Sequence, residues 1–273
     1  MTSLGFKVQS VLNKFGLGVT SSRELLRLQA LENNQPEYDL KFLLNFSETI
    51  SGKLLNLIDR SHSQIRQDLF VLSVLNFKEN GFFVEFGAAD GLHLSNTYLL
   101  EKEFGWTGIL AEPAKIWHSK ISKNRPDTIL EKHCVWTETG KELEFLETKN
   151  PELSTLAKSG NTDEHAQARL GAERYFVRTV SLIDLLEKYS APKNPDYLSI
   201  DTEGTEFQIL NSFDFKKYQF KVITCEHNFS GDRKKVFELL TSQGYVRVLE
   251  NISDFDDWYV LKTELAKKSD LFK

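Results

Sequence analysis

Cysteine is scarce: Cys134 and Cys225 are the only two in 273 residues. Two isolated thiols cannot make a disulfide framework, and their spacing is not that of a zinc site. Each falls near the end of an expected strand, as free thiols in a reducing compartment would. Proline (six) and glycine (fifteen) are too thinly spread for a low-complexity chain. No apolar run approaches the roughly 18 residues that a membrane-spanning helix needs. Met1 to Lys7 lacks the basic start and apolar block of a signal peptide, so a cytoplasmic protein without a transmembrane segment is expected. Positive charge is also in deficit. The net charge of -5 argues against a general nucleic-acid binder, which carries a basic surface. What is present is an ordinary 40% of hydrophobic residues, enough at this length for one large core, or for one core with an extra subdomain.

Apolar runs alternate with helical patterns, and there is no internal repeat. Residues 1–60 read as an N-terminal extension of short helices: Val8, Val11, Leu12 and Phe15 recur at helical spacing, as do Leu25, Leu26 and Leu28. From residue 61 the pattern changes. Ser61 or Ser63 is placed to cap a helix through Asp68–Leu72. Strands are expected at 82–86, 106–112, 128–135, 142–147, 175–180, 197–201, 220–225, 245–249 and 258–261, with helices between several of them, one spanning about 93–104. Such alternation predicts an α/β fold with a mostly parallel twisted sheet, Rossmann-like, with helices on both faces. Residues 148–174 dissolve into a polar insertion, as a lid or binding loop would.

The chain is organised around Phe82-Phe83-Val84-Glu85-Phe86-Gly87-Ala88-Ala89-Asp90-Gly91, a buried strand that breaks at glycines and leads toward a helix. Acids collect where the strands end: Glu85 and Asp90, then Glu112 followed by Pro113, then Asp201, then Glu226-His227-Asn228. Open α/β sheets bind ligands on that side. The loop is not the G-x-G-x-x-G fingerprint of dinucleotide binding, and it puts acids where phosphate would sit. Acids suit a cationic ligand, and the sulfonium and amino groups of S-adenosyl-L-methionine meet that demand. The bland alternative is a plain strand-turn-helix junction with solvated acids.

Taken together, Val84–Gly91, Ser95-Asn96-Thr97, Gly105–Pro113, Ser199–Glu206, Glu226-His227-Asn228 and Asp257-Trp258-Tyr259-Val260 resemble the FkbM family of S-adenosylmethionine-dependent methyltransferases, in the family's order and from about Ser61 to Leu261. The resemblance implies a class I methyltransferase domain over 61–273, with methyl transfer usually to a hydroxyl oxygen, often of a sugar or glycan acceptor. It implies that Glu85, Gly87, Ala88, Asp90 and Gly91 surround the methionine part of the cofactor and that Asn96 holds its polar end. Glu112, beside Pro113, would take the ribose hydroxyls, Cys134 and Val135 would lie near adenine, and Asp201 would face the methyl group and the acceptor. A sugar hydroxyl is a poor acid, so a base or a metal ion helps. His227 suits the base role, because imidazole titrates near neutral pH. Asp201, Glu226 and Asn228 also resemble the Mg²⁺ ligands of catechol-type O-methyltransferases. Two other classes stay open: a non-catalytic α/β binding module, and a metal-dependent hydrolase built on Asp201, Glu226 and His227.

Overall fold

The computed structural model describes residues 35–157, 169–268 and 270–273. The chain divides into two compact units, Met1–Phe42 and Leu43–Lys273. Of the first, residues 35–42 are described and are helical; the short helices expected before residue 35 lie outside the described residues. The division falls at 42/43 rather than 60/61. Helix α1 (Glu48–Leu55) buries Leu54 and packs on α2 (Gln67–Val74), which makes it part of the second unit.

Seven strands form the main sheet: β1 (Phe82–Phe86), β2 (Thr107–Ala111), β3 (Ile129–Glu131), β8 (Tyr197–Ile200), β9 (Val222–Glu226), β10 (Tyr245–Val248) and β11 (Asp256–Leu261). Their order is β3-β2-β1-β8-β9-β11-β10, and only β11 runs against the rest. The strands are apolar throughout because helices cover both faces of such a sheet. Val84, Phe86, Ile109, Leu198, Ile200 and Ile223 point to one side, where α5 (Leu182–Lys188), α6 (Glu206–Asn211) and α7 (Arg233–Ser242) supply Leu185, Leu186, Ile209, Leu210, Val236 and Leu240. On the opposite side the α2 residue Phe70 stacks on Trp258 of β11, with ring centroids 4.6 Å apart.

Two local readings of the sequence give way to tertiary bonding. The helix expected from about residue 93 starts only at Tyr98, as α3 (Tyr98–Phe104). Asp90 Oδ1 accepts the backbone N–H groups of Leu92 and His93, and Glu85 accepts that of Asn96, so the chain between is held as an irregular loop. The single run expected over 128–135 is two strands. The Glu131 carboxylate accepts the His133 N–H at 2.9 Å and turns the chain after β3. The chain then enters a second sheet, β4 (Cys134–Trp136), β5 (Glu142–Glu147), β6 (Thr155–Leu156) and β7 (Glu173–Ser181), in the order β4-β7-β5-β6. Helix α4 (Lys115–Asn124) precedes β3. No helix among the described residues is long and apolar enough to cross a membrane.

The chain winds outward from β1 through β2 to β3, then returns to β8 on the other side of β1 and winds out again through β9. Strand order therefore reverses between β1 and β8, and the carboxyl ends of these two strands open the ligand crevice of a doubly wound sheet.

Candidate active site

Three loops meet at that crevice, and each contains backbone that side chains seldom adopt. After β1, Gly87 (φ 70°), Ala89 (φ 44°) and Gly91 (φ 75°) are left-handed; after β8, Glu203 (φ 58°) and Gly204 (φ 104°); after β9, Asn228 (φ 41°) and Phe229 (φ 54°). Such strain persists only where surrounding bonds over-determine it, and it gathers at functional sites. Gly87 has a packing reason as well: a Cβ there would sit 2.0 Å from the Asp201 carbonyl oxygen, so the first two loops touch through bare backbone.

The first loop is organised by Glu85. Its buried carboxylate accepts from Thr97 Oγ1 (2.5 Å), the Asn96 N–H (2.7 Å) and Ser95 Oγ (3.1 Å), and burial raises its pKa despite the nearby Arg125 charge. Glu85 thus shapes the loop from beneath, and Asp90 closes its turn. Asn96 donates its amide to Ser199 Oγ of β8 at 3.0 Å, while its Oδ1 is buried without a hydrogen-bond partner among the described residues. A buried acceptor left open is an energetic cost until a donor arrives.

Glu112 follows β2. One oxygen accepts the Ala114 N–H (2.8 Å) and the other the Ala89 N–H (3.1 Å), which joins this turn, with Pro113 in it, to the first loop. Burial pushes its carboxyl up to about 8, and the charges of Asp201 and Glu147 push the same way. Cys134 and Val135 are buried at the start of the second sheet, and burial, helped by the Glu112 charge, holds the Cys134 thiol up at about 12. That thiol is protonated at neutral pH and makes a neutral wall, not a nucleophile.

Asp201, Glu203 and Glu226 come from the second and third loops, and their carboxylate oxygens lie within 4.8 Å of one another. Burial raises Asp201 to about 6, a hydrogen bond with Glu226 opposes the rise, and Glu206, Glu85 and Glu152 add repulsion. Glu226 is raised further, by burial first and then by the Asp201 charge. Two hydrogen-bonded carboxyls need one shared proton, and these directions leave it on Glu226 with Asp201 ionised. Asp256 of β11, facing Glu226 in register, is also buried and pushed up to about 8; Gln67 donates to it at 3.0 Å. Glu206 takes the Thr202 and Gly204 N–H groups and fixes the second loop. The insertion reaches the same loop: Thr155 Oγ1 donates to the carbonyls of Thr202 and Glu203, and buried Arg169 pairs with Glu203 at 2.8 Å.

Sequence reasoning placed Asp201 and Glu226 together correctly but missed Glu203, Glu206 and Asp256. The first two lie in the spacing Asp-x-Glu-Gly-x-Glu, which could have flagged them; Asp256 gave no local signal. His227 was expected as a base because imidazole titrates near neutral pH, and Asn228 as a metal ligand by resemblance. In the structure β9 stops at Glu226 and the chain turns, with both the His227 and Asn228 N–H groups donating to the Phe255 carbonyl. The buried His227 ring lies against Asp257 and Phe229. Its Nδ1 accepts the Phe229 N–H at 3.0 Å, so the neutral ring carries its proton on Nε2 and offers no free lone pair as a base. Burial lowers its pKa, which keeps it neutral. Asp201, Glu203 and Glu226 are spaced as metal ligands could be, although Arg169 already pairs with Glu203.

A parallel sheet in this order, with one antiparallel strand next to its edge and acids at the carboxyl ends, is the class I methyltransferase architecture. Residues 85–261 match the methyltransferase FkbM domain family, and the chain belongs to it. No curated protein matches the chain. Among solved structures it is similar to a methyltransferase FkbM from Methylobacillus flagellatus, with 10% identity and a TM-score of 0.44 over 84% of this chain, which spans 59% of that one. It is also similar to a precorrin-6y C5,15-methyltransferase from Geobacter metallireducens (13% identity, TM-score 0.40, 72% of this chain and 86% of that one). A third is an O-methyltransferase from Bacillus cereus in complex with SAH (14% identity, TM-score 0.35, 93% of this chain and 95% of that one).

Proposed function

We propose that this protein is an S-adenosylmethionine-dependent methyltransferase that methylates a hydroxyl oxygen, the acceptor being a sugar or glycan. The observation that carries the reading is the Asp201–Glu226 pair at the strand-order reversal, beside a loop whose Asn96 Oδ1 awaits a donor. The residues fit the cofactor. An ammonium group would satisfy Asn96 Oδ1, and paired hydroxyls would bond the Glu112 carboxyl group, whose present partners are two backbone N–H groups. Ala88, Asp90 and Gly91 complete the loop, and Cys134 and Val135 offer the buried neutral surface that a purine needs. When bound, the cofactor supplies an electrophilic methyl group on a sulfonium centre.

Asp201 takes the proton of the acceptor hydroxyl as the oxygen–methyl bond forms. With its carboxyl at about 6 it is ionised at neutral pH yet still basic enough to accept, which is where a general base works best. Glu226, protonated, steadies the Asp201 charge. His227 serves the acceptor side indirectly by fixing Phe229, 65% exposed three residues beyond Glu226 and a flat apolar face of the kind that sugar rings pack on. The Thr155 and Arg169 contacts make the insertion part of the acceptor wall. The direct test is titration calorimetry with S-adenosylhomocysteine, followed by transfer of labelled methyl to a glycan panel. Binding and labelling of a glycan hydroxyl are expected; no binding of S-adenosylhomocysteine refutes the reading.

A further inference from the structure

Arg125 has no place in the site described above, yet it is among the largest fully buried side chains. A buried guanidinium is costly unless its donors are used. Here Nε donates to Glu101 (2.5 Å), Nη1 to the Gly91 carbonyl (3.0 Å) and Ser95 Oγ (3.3 Å), and Nη2 to Thr97 Oγ1 (3.1 Å). Only the Glu101 bond is that of a simple structural ion pair. The other three all end on the loop after β1. Ser95 and Thr97 pass the contact on, since their hydroxyls donate to Glu85 on the other side. The residue before it repeats the pattern: Asn124 Nδ2 donates to the Asp90 carbonyl at 2.9 Å. Two successive side chains at the end of α4 therefore hold two successive carbonyls of the loop. The fit is close, because a Cβ on Gly91 would lie 3.0 Å from Arg125 Cγ. Helix α4 begins three residues after Glu112. Arg125 thus ties the loop facing the methionine end to the helix that follows the ribose acid.

Building on the proposed function, we infer that Arg125, supported by Asn124, is a positioning residue that sets the spacing between the 87–97 loop and the Glu112 turn, and so governs cofactor affinity without touching the cofactor. Lysine keeps the charge but cannot make the forked set of bonds. In Arg125→Lys, backbone hydrogen exchange of the apo full-length protein should rise over 88–97 and stay unchanged in β9. The dissociation constant for S-adenosylhomocysteine should rise about tenfold, as small misplacements cost in oriented sites. A purely structural role would instead speed exchange in every strand. Asn124→Ala, which removes one bond from a partly exposed residue, should show the same local pattern more weakly, and it decides the matter if Arg125→Lys does not fold. Unchanged exchange over 88–97, or wild-type affinity in Arg125→Lys, overturns the inference and leaves the proposed function standing. If the wild-type protein binds no S-adenosylhomocysteine, the proposed function falls and exchange over 88–97 alone judges the tie.

Discussion

Strand β8 is flanked by an aspartate at each end, one buried and one half-buried, and the two live in opposite conditions. Asp196, just before the strand, accepts the Phe82 N–H and the ammonium groups of Lys78 and Lys221, both at 2.7 Å, and these bonds hold its carboxyl below the usual range against the cost of burial. Asp201, just after it, meets Glu226, Glu203 and no lysine among the contacts described, and its carboxyl rises to about 6. The same residue type, on the same four-residue strand, is neutralised at one end and left with acidic neighbours at the other. Neutralisation holds a fold together. Leaving buried acids uncompensated costs stability, and proteins accept that cost where a site needs the charge. The carboxyl ends of β8 and β9 therefore differ on energetic grounds from the end of β3, where Glu131 is paired with Lys188 and His133.

Exchanging each carboxylate for its amide breaks the comparison most directly. Asp201→Asn should lower methyl transfer by about 10²–10⁴-fold, the usual worth of a general base. S-adenosylhomocysteine affinity should stay near wild type, and thermal stability should hold or rise, because a charge crowded by other acids is removed. Asp196→Asn should do the reverse, keeping turnover while losing about 2 kcal/mol in chemical denaturation, as expected for losing hydrogen bonds to charged partners. If both variants lose stability alike and keep activity, the two ends do not differ in function. A smaller effect is expected at Glu112. Glu112→Ala should weaken S-adenosylhomocysteine binding by about a hundredfold, the value of two hydrogen bonds to a pair of hydroxyls, with unfolding measured in parallel to show that the turn survives.

Much of this contrast could be read from the chain. Buried parallel strands announce themselves as apolar runs, and the acids that end them stand at the turn signals, so the sheet, the crevice and Glu85, Glu112, Asp201 and Glu226 were all legible. What was not legible depends on partners distant in sequence. Asp256 reaches the crevice only because β11 inserts beside β9, and Gln67 meets it from 189 residues away. The Arg169–Glu203 pair joins the insertion to the β8 loop and leaves no trace in local pattern. The run at 128–135 reads as one strand until the Glu131 carboxylate turns the chain after β3. Residues 226–228 read only as the end of a strand, but the Phe255 carbonyl gathers the N–H groups of His227 and Asn228 and turns the chain there. Glu85 was expected to form the loop around the cofactor's methionine part; that it does so by accepting from Ser95, Asn96 and Thr97 has no local signal in the sequence.

The smallest expected effect separates the two ends by pH alone. Asp196 has a lowered folded pKa, so its contribution to stability is present above the unfolded value of about 3.9 and disappears as pH falls through the folded one. Asp201, Glu112 and Asp256 have raised folded values, about 6, 8 and 8. Their protonated forms favour the native state, so that contribution is complete below the unfolded values near 4 and is lost as pH rises, first through about 6 and then through about 8. The unfolding temperature of the apo protein should therefore pass through a maximum in mildly acid solution, fall at lower pH as Asp196 takes up its proton, and decline toward pH 9 as the three raised acids ionise. Glu112→Gln should flatten the alkaline decline and leave the acid drop in place, since the two limbs come from different carboxyl groups. Turnover should follow the other sign and rise with pH through about 6 as Asp201 loses its proton, so the protein gains its base over the same interval in which the crevice begins to lose stability. An apo protein whose unfolding temperature climbs from pH 5 to pH 9 would contradict the placement of uncompensated acids at the carboxyl ends.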